Sequence, residues 1–484
     1  MKISKAGWDN HTAIFIGKET RESKMWQRNS QGITENPIWK QILIFFFPIL
    51  LGTFFQQLYN TVDAVVVGRF VGKEALAAVG GSTGTVTQLL IGFFTGLSAG
   101  ATVVISQSYG AEKQEAVFKA VHTAMALSLA VGIFFTAAGL LFSPMALRAM
   151  ATPESVMEGA VTYIRVYFAG ILFPLVYNMG AGILRAVGDS RRPLYFLMVC
   201  CGANIVLDIV FVAVLKMGVL GAALATLFSQ AASACLTLAA LARTNQCYHL
   251  DFRSLGFTAP VLKNIVWIGL PTGLQSVMYS VSNIIIQAGV NSLGTDVIAA
   301  WTAYGKIDGL YWMILSAFGV SVTTFVGHNF GAHNYKRMRE TVRACLWMSV
   351  IGTIVFSAAL YAAAPIVFRV FTSDPNVISV GMGILYLLAP CYITYIAIEI
   401  LGGAVRGTGD AVIPMIMTCA GVCVLRVLWI VFVVPYSKNI ETIALSYPIT
   451  WSVTSILFII YYRHGGWLKR RIAIAGAPPE ELPQ

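Results

Sequence analysis

Twelve apolar runs, each about 20 residues or longer, follow one another along the chain. A run of this length spans a bilayer as an α-helix, because a helix satisfies all of its own backbone hydrogen bonds in lipid. The runs lie near 38-67, 76-108, 117-144, 160-184, 193-215, 218-241, 261-291, 298-328, 341-367, 379-402, 411-434 and 442-464. The sequence therefore predicts an all-α integral membrane protein with twelve transmembrane helices.

Composition supports this class. Hydrophobic residues make up 57% of the chain and charged residues only 11%, whereas a soluble domain has about a quarter charged. The net charge of +11 does not predict a nucleic-acid partner, because the basic residues lie in short loops and not on one soluble face. The cysteines and histidines lack the spacing of metal ligands, so no metal site and no cofactor are expected.

Orientation follows from the Lys and Arg residues in alternate loops. One set of loops receives few of them, namely Arg69, Lys73, Arg148, Arg165, Lys216, Arg369 and Lys438. Most of the others fall in the opposite set, together with the basic N-terminal segment. This imbalance predicts a multi-pass protein of the cell membrane with both termini in the cytoplasm.

The two halves of the chain are repeats. Tyr109-Gly110-Ala111 recurs as Phe330-Gly331-Ala332, and the Arg-x2-Gly-Asp element at Arg185 recurs at Arg406, both with an offset of 221 residues. Each repeat holds six spans, so the two have the same orientation and are related by a pseudo-two-fold axis along the membrane normal. Two six-helix lobes that face each other across a cavity are typical of a transporter.

The repeat sets the expected domain organisation. It comprises a basic cytoplasmic tail at 1-36, an N-lobe at 37-241, a cytoplasmic linker at 242-260, a C-lobe at 261-466 and a polar cytoplasmic tail at 467-484. Two glycine patterns, Gly92-x3-Gly96-x3-Gly100 and Gly305-x3-Gly309, predict close helix packing in the second and eighth spans.

The first span contains polar residues that are costly in lipid. It runs from Pro48 through Gln56, Gln57 and Asn60 to Asp63, and a carboxyl group inside a spanning helix indicates a functional site. Gln56, Gln57, Tyr59 and Asn60 are candidates for lining a cavity, as is Tyr279 in the seventh span. The alternative is a structural carboxylate paired with a basic neighbour.

Three further polar residues fall at the depth of Asp63. Asp208 lies a similar distance before the end of the fifth span, Asn204 lies one helical turn deeper on the same face, and Thr226 returns to this layer in the sixth span. Such oxygen ligands suit a hard cation, and two coupled carboxyl groups can instead share a proton. The other interpretation is a hydrogen-bonded cluster that only fixes helix packing.

The second lobe provides an internal comparison. The positions that correspond to this layer hold Ile285, Leu425, Trp429 and Tyr447, so the acidic and amide ligands are absent there. This asymmetry favours one coupling-ion site in the first lobe. Other charges in the second lobe either line the cavity or pair with each other; these are Lys306, Asp308, Arg426 and the pair Glu399 and Arg406.

The combined pattern resembles the multidrug and toxic compound extrusion (MATE) transporters over all but the two tails. The first-span pattern from Pro48 to Asp63, the Tyr-Gly-Ala turn at Tyr109 and the paired elements at Arg185 and Arg406 carry this resemblance. It implies export of small organic, often cationic, compounds by alternating access, in exchange for Na⁺ or H⁺. It also implies a cation site at Asp63, Asn204, Asp208 and Thr226, and a helix kink at Pro48.

The seventh span from Ile265 to Leu293 has no acidic residue, which favours the bacterial DinF-like branch. We expect a membrane-embedded monomer that contacts lipid and is not an enzyme, because no convergent catalytic set and no nucleotide-binding Walker sequence occurs. The alternative within transport is a flippase for a lipid-linked saccharide. That function would require a cationic cavity for pyrophosphate, whereas the first-lobe candidates are acidic.

Overall fold

The computed structural model describes residue 33 and residues 36–475, and this part of the chain is helical, with no β-strand. The predicted fold class is confirmed: two six-helix lobes form a twelve-span membrane protein.

The helices of the first lobe are α1 to α8. Their bounds are Ile38–Phe70 (α1), Lys73–Gly80 (α2), Ser82–Gly110 (α3), Gln114–Ala149 (α4), Glu154–Ala169 (α5), Leu172–Ala186 (α6), Arg191–Asp208 (α7) and Gly218–Ala242 (α8). A π-helical segment, Ile209–Val214, continues α7. Between the lobes, a short 3-10 helix occupies Phe252–Ser254.

The helices of the second lobe and the C-terminal segment are α9 to α17. Their bounds are Ala259–Asn291 (α9), Thr295–Gly331 (α10), Tyr335–Phe371 (α11), Pro375–Leu388 (α12), Ile396–Gly407 (α13), Val412–Thr418 (α14), Leu425–Phe432 (α15), Ile440–His464 (α16) and Trp467–Ala475 (α17). A 3-10 segment, Ala389–Tyr395, joins α12 to α13, and a π-helical segment, Cys419–Val424, joins α14 to α15.

Ten continuous stretches in the described residues are long and apolar enough to cross a membrane. The pair α5 and α6, bent by 47° at its break, forms an eleventh span. Helix α9 falls outside that hydropathy criterion, but its 33 residues are long enough to cross and complete the twelve spans. The helix ends lie within several residues of the predicted runs.

The turns of the two lobes share backbone geometry as well as sequence. Gly188 and Gly409, which are 221 residues apart, both follow the fourth span of their lobe and have φ angles of 89° and 92°. A left-handed residue at this point ends the helix at little steric cost only if it is glycine. The sequence repeat is therefore also a structural repeat.

The lobes contact each other mainly through α3, α9 and α10. Gly100 of α3 lies against Gly269 of α9, and a Cβ atom on Gly100 would lie 2.6 Å from the Gly269 nitrogen. The predicted packing role of the first glycine pattern is confirmed, because only glycine permits this backbone approach. The prediction for Gly305 and Gly309 is wrong: a Cβ atom on either would have no neighbour within 4 Å.

The segment from residue 467 is not simply a polar tail. It begins with α17, in which Trp467, Leu468 and Ile472 are buried, and the Arg471 Nε donates a hydrogen bond of 3.0 Å to the Thr408 carbonyl oxygen. An amphipathic face of three apolar side chains therefore docks this helix on the second lobe. Residues 476–484 lie outside the described residues.

Most of the predicted N-terminal tail, residues 1–32, also lies outside the described residues. Ile33 at its end is buried, and its carbonyl oxygen accepts hydrogen bonds from the Arg337 guanidinium at 2.9 and 3.0 Å. Arg337 belongs to α11, so the entry to the first lobe is attached to the second lobe.

Candidate functional site

A cavity of about 60 Å³ lies inside the first lobe. Its lining includes Asp63 from α1 and Thr226 from α8, together with Gln56, Tyr59 and Asn60. A polar space of this size holds a few water molecules or one ion, but not a drug-sized molecule. The structure thus brings Asp63 and three of the predicted lining residues to one small polar chamber.

Asn204 and Asp208 are not among the residues that line this chamber, and they have no solvent exposure. They occupy one face of α7, one turn apart, and the Asp208 carboxyl interacts electrostatically with that of Asp63. The helix changes to π-helical geometry directly after Asp208. Such segments occur frequently at functional sites, because the wider turn redirects backbone and side chains.

Several polar atoms of this group have no hydrogen-bond partner among the described residues. They are Oδ1 of Asp63, both carboxyl oxygens of Asp208 and both side-chain polar atoms of Asn204. Buried polar atoms are paired in the great majority of cases, so a cluster of polar atoms without protein partners is typical of a site that takes up a proton, a water molecule or an ion. Carboxylate and amide oxygens are also the ligands that hard cations prefer.

Three tyrosines complete the chamber, and the sequence reasoning missed them. Tyr163 and Tyr167 from α5 and Tyr177 from α6 line it, and Gln230 donates a hydrogen bond of 3.1 Å to the Tyr59 hydroxyl. The three tyrosines lie in the bent fourth span, and an isolated tyrosine in a spanning helix is more often a core residue than a site residue. The sequence alone does not show that they lie near Asp63, because that depends on which helices are neighbours in the fold.

The remaining predicted site residues lie elsewhere. Gln57 is exposed and accepts a hydrogen bond from Asn60 at 3.5 Å, and Tyr279 lies in the second lobe with its hydroxyl 2.5 Å from that of Tyr395. Helix α1 is continuous through Pro48. The roles of Asp63, Asn204, Asp208, Thr226 and Pro48 in ion coupling stay predictions.

The second lobe contains a different polar cluster. Asp308 of α10 accepts hydrogen bonds from the Tyr392 hydroxyl at 2.7 Å, the Trp312 Nε1 at 2.7 Å and the Tyr304 hydroxyl at 3.2 Å. Three neutral donors therefore satisfy this carboxyl group. Asp308 and Lys306 form no ion pair in the described part of the chain, which separates two residues that the sequence left as a possible pair.

Two other charges in the second lobe are paired in different ways. The Arg406 Nη2 lies 3.5 Å from the Glu399 Oε1, which confirms the structural ion pair that the sequence suggested. Arg426 is 2% exposed, and its guanidinium carbon lies 3.9 Å from the centre of the Tyr447 ring. The attraction between the guanidinium and the face of the aromatic ring partly offsets the free-energy cost of removing this cation from water.

The two lobes contact each other directly at the end that holds Gly110 and Gly331, which we call the closed end. Gln107 Nε2 donates a hydrogen bond of 2.8 Å to the Gly407 carbonyl oxygen, and His328 Nε2 contacts the Ala186 carbonyl oxygen at 2.6 Å. Gln107 corresponds to His328, and Ala186 corresponds to Gly407, at the offset of 221. One contact is thus made twice, once in each direction across the pseudo-two-fold axis.

Toward the opposite end, which we call the open end, the same helices separate. Thr95 of α3 and Ser316 of α10 are exposed, and they too are 221 residues apart. Between these residues and the closed end, both helices are mostly buried, whereas Gln88 and Lys306 beyond them are exposed. This symmetric pattern of burial indicates that a cleft opens between the lobes beyond Thr95 and Ser316.

Two bacterial relatives of this chain are described as probable multidrug resistance proteins. A Bacillus subtilis protein described as probable multidrug resistance protein YpnP is 28% identical over 441 residues, covering 90% of this chain and 97% of the relative. The probable multidrug resistance protein NorM of Thermotoga maritima is 24% identical over 90% of this chain and 94% of the relative.

Solved structures show the same fold. A MATE transporter in the bent conformation superposes with a TM-score of 0.85 at 24% identity, over 92% of this chain and 99% of that one. An outward-facing MATE transporter gives a TM-score of 0.84 at 24% identity over 92% and 98%. The MatE family model matches residues 48–210 and 271–432, one match in each lobe. The chain therefore belongs to the MatE family of multidrug efflux transporters and is not an enzyme.

Proposed function

We propose that this protein is a secondary active antiporter, which exports small organic compounds, often cationic ones, in exchange for Na⁺ or H⁺. The observation that carries the proposal is the set of buried, unpaired oxygens at Asp63, Asn204 and Asp208. The first-lobe chamber is too small for a drug, so its natural occupant is the coupling ion. The drug occupies the larger cleft between the lobes.

The closed end faces the cytoplasm in this proposal, as the distribution of Lys and Arg predicts. The cleft then opens to the outside, and export requires the two contacts at Gln107 and His328 to break when the cleft opens inward. Proton or cation binding at Asp63 changes the balance between the two states, because the ion binds one state better than the other. A bend of α1 at Pro48 is the proposed link, and the protein works as a monomer surrounded by lipid.

The test is dye efflux from proteoliposomes under an imposed Na⁺ gradient and, separately, an imposed pH gradient. Wild type is expected to respond to one of the two gradients, whereas Asp63→Asn and Asp208→Asn are expected to show no gradient-driven efflux. Asp296→Asn is the matched control, because this carboxyl group is exposed in the first turn of α10 at the open end. Normal gradient-driven efflux by Asp63→Asn and Asp208→Asn would contradict the site assignment.

A further inference from the structure

A cavity of about 360 Å³ lies at the closed end, beside the first residues of α7, and we call it the α7 cavity. It shares no lining residue with the first-lobe chamber. One wall is the start of α1, including Gln41 and Phe45, and a second wall is the turn between α6 and α7. Tyr248 of the interlobe segment and Phe325 of α10 also line it, and the ring centres of Phe45 and Phe325 are 5.5 Å apart. Residues of both lobes therefore enclose this space.

The ionisable side chains that line the α7 cavity carry a net positive charge. Arg191 and Arg192 contribute two positive charges, and Asp189 contributes one negative charge. The Asp189 carboxylate is already bonded through both oxygens. Its Oδ1 accepts hydrogen bonds from the Arg191 and Arg192 backbone N–H groups at 3.0 and 3.1 Å, and its Oδ2 lies 3.1 Å from the Arg192 Nε. The Arg191 guanidinium has neither an ion pair nor a hydrogen bond with any described residue, so one cation of the lining is uncompensated.

Two buried hydroxyl groups belong to the same lining. Ser190 and Tyr248 are each 4% exposed, and neither hydroxyl forms a hydrogen bond in the described part of the chain. Ser190 is the N-cap residue of α7, but its side chain makes no capping bond, because the first backbone N–H groups are bonded to Asp189 instead. Buried polar groups are paired in the great majority of cases. Two free hydroxyl donors beside a free guanidinium are a donor set suited to an anion.

The second lobe shows that the turn itself does not require these donors. Gly188 and Asp189 recur there as Gly409 and Asp410, with the same left-handed glycine. Asp410 Oδ1 accepts a hydrogen bond of 3.4 Å from the Ile413 N–H, the position that corresponds to Arg192. The three residues after the aspartate are nevertheless Ser-Arg-Arg at 190–192 and Ala-Val-Ile at 411–413. A glycine and an aspartate are thus sufficient for the turn, and the serine and arginines are not needed to form it.

The α7 cavity lies where a bilayer changes from hydrocarbon to headgroups. Arg191 is the first residue of α7, and Gln41 and Ile44 lie in the first two turns of α1. Ile44 is 40% exposed, and Tyr195, one turn after Arg191, is 56% exposed. Because the lobes touch at this end, large side chains exposed on these spanning helices face lipid. The cavity therefore has a lipid side and a basic rim, and basic pockets of this kind between spanning helices bind anionic headgroups.

We infer that the α7 cavity binds a phosphate group, and that the source of this group is the headgroup of an anionic phospholipid. The Arg191 guanidinium is a planar fork that matches phosphate oxygens, and the Ser190 and Tyr248 hydroxyls supply two further donors. A phosphodiester carries one negative charge, which balances the net charge of the lining. A zwitterionic headgroup brings its own cation toward the arginines and binds less tightly. A soluble phosphate offers the same oxygens but lacks the acyl chains that lie against Ile44.

The test is native mass spectrometry of the purified protein in detergent. It is titrated with phosphatidylglycerol, with phosphatidylcholine of the same acyl chains, or with inorganic phosphate. Wild type is expected to bind phosphatidylglycerol more tightly than either of the other two. In Arg191→Gln the Kd for phosphatidylglycerol is expected to rise about tenfold, equivalent to about 1.4 kcal/mol. In Tyr248→Phe, which loses only a hydroxyl, it is expected to rise about threefold.

Arg343→Gln is the matched control, because Arg343 of α11 is exposed near the closed end of the second lobe and has no ion pair with a described residue. It removes the same charge and is expected to keep the wild-type Kd, which separates a specific site from general attraction to anionic lipid. Arg191→Gln is expected to fold normally, since its guanidinium has no partner, and an unchanged melting temperature without added lipid checks this. Equal affinity of wild type and Arg191→Gln for phosphatidylglycerol overturns the inference. Binding of inorganic phosphate that depends on Arg191, without binding of phosphatidylglycerol, overturns the lipid source and assigns the cavity to a soluble phosphate.

Discussion

The closed end makes a quantitative prediction about conformational balance. Gly331 packs against the backbone of Gln107, and a Cβ atom on Gly331 would lie 2.8 Å from the Gln107 carbonyl carbon and 3.0 Å from its Cα. Carbon atoms at optimal separation lie about 3.5–4.0 Å apart, so Gly331→Ala must separate the two backbones by roughly 1 Å. Gly110→Ala meets the His328 backbone in the same way.

The cost of such overpacking is about 1–3 kcal/mol, and it acts only on the state in which the lobes touch at this end. The equilibrium between the closed and open states of this end is therefore expected to shift about 5- to 150-fold toward open. Amide hydrogen exchange followed by mass spectrometry reports this shift without labels. Peptides that cover 106–112 and 327–333 are expected to exchange faster in Gly331→Ala, whereas open-end peptides are expected to exchange no faster than in wild type.

Gly305→Ala is the matched control on the same helix. It makes the same chemical change, but its new methyl group meets open space. It is expected to leave closed-end exchange at the wild-type level. Equal exchange in Gly331→Ala and Gly305→Ala would refute the reasoning that direct backbone contact holds this end closed.

Three further predictions concern particular contacts. Gln107→Ala removes one of the two symmetric hydrogen bonds. It is expected to lower the free energy of opening at the closed end by roughly 1 kcal/mol and so to accelerate amide exchange there, while His328→Gln keeps a donor and is expected to change the exchange rate less. Tyr392→Phe removes the 2.7 Å donor to Asp308 and is expected to destabilise the protein by about 1–3 kcal/mol in thermal unfolding, with Tyr436→Phe, an exposed tyrosine, as the neutral control. Arg406→Gln leaves the half-buried Glu399 without its partner and is expected to lower the melting temperature. Arg369→Gln is the control, because the Arg369 side chain has no ion pair in the described residues, and it is expected to lower the melting temperature less. Equal melting temperatures of the two variants would show that the Glu399–Arg406 pair contributes nothing to stability.

The sequence by itself determined the number and position of the spans and the repeat, because lipid forces every spanning segment into an apolar helix of fixed length. It also indicated Asp63, Asn204 and Asp208, since a carboxyl group at this depth is costly and helical periodicity relates positions on one helix. These inferences depend only on helical periodicity and on depth along one span. They do not depend on which helices are neighbours in the fold.

Only the tertiary structure decided which groups meet across helices. It paired Asp308 with Tyr392 and Trp312, although Lys306 is closer in sequence, and it placed Gly100 in a tight crossing but left Gly305 beside open space. It also docked α17, which composition had suggested was a polar tail. Sequence spacing cannot fix such contacts, because they depend on the rotation and crossing of each helix relative to its neighbours.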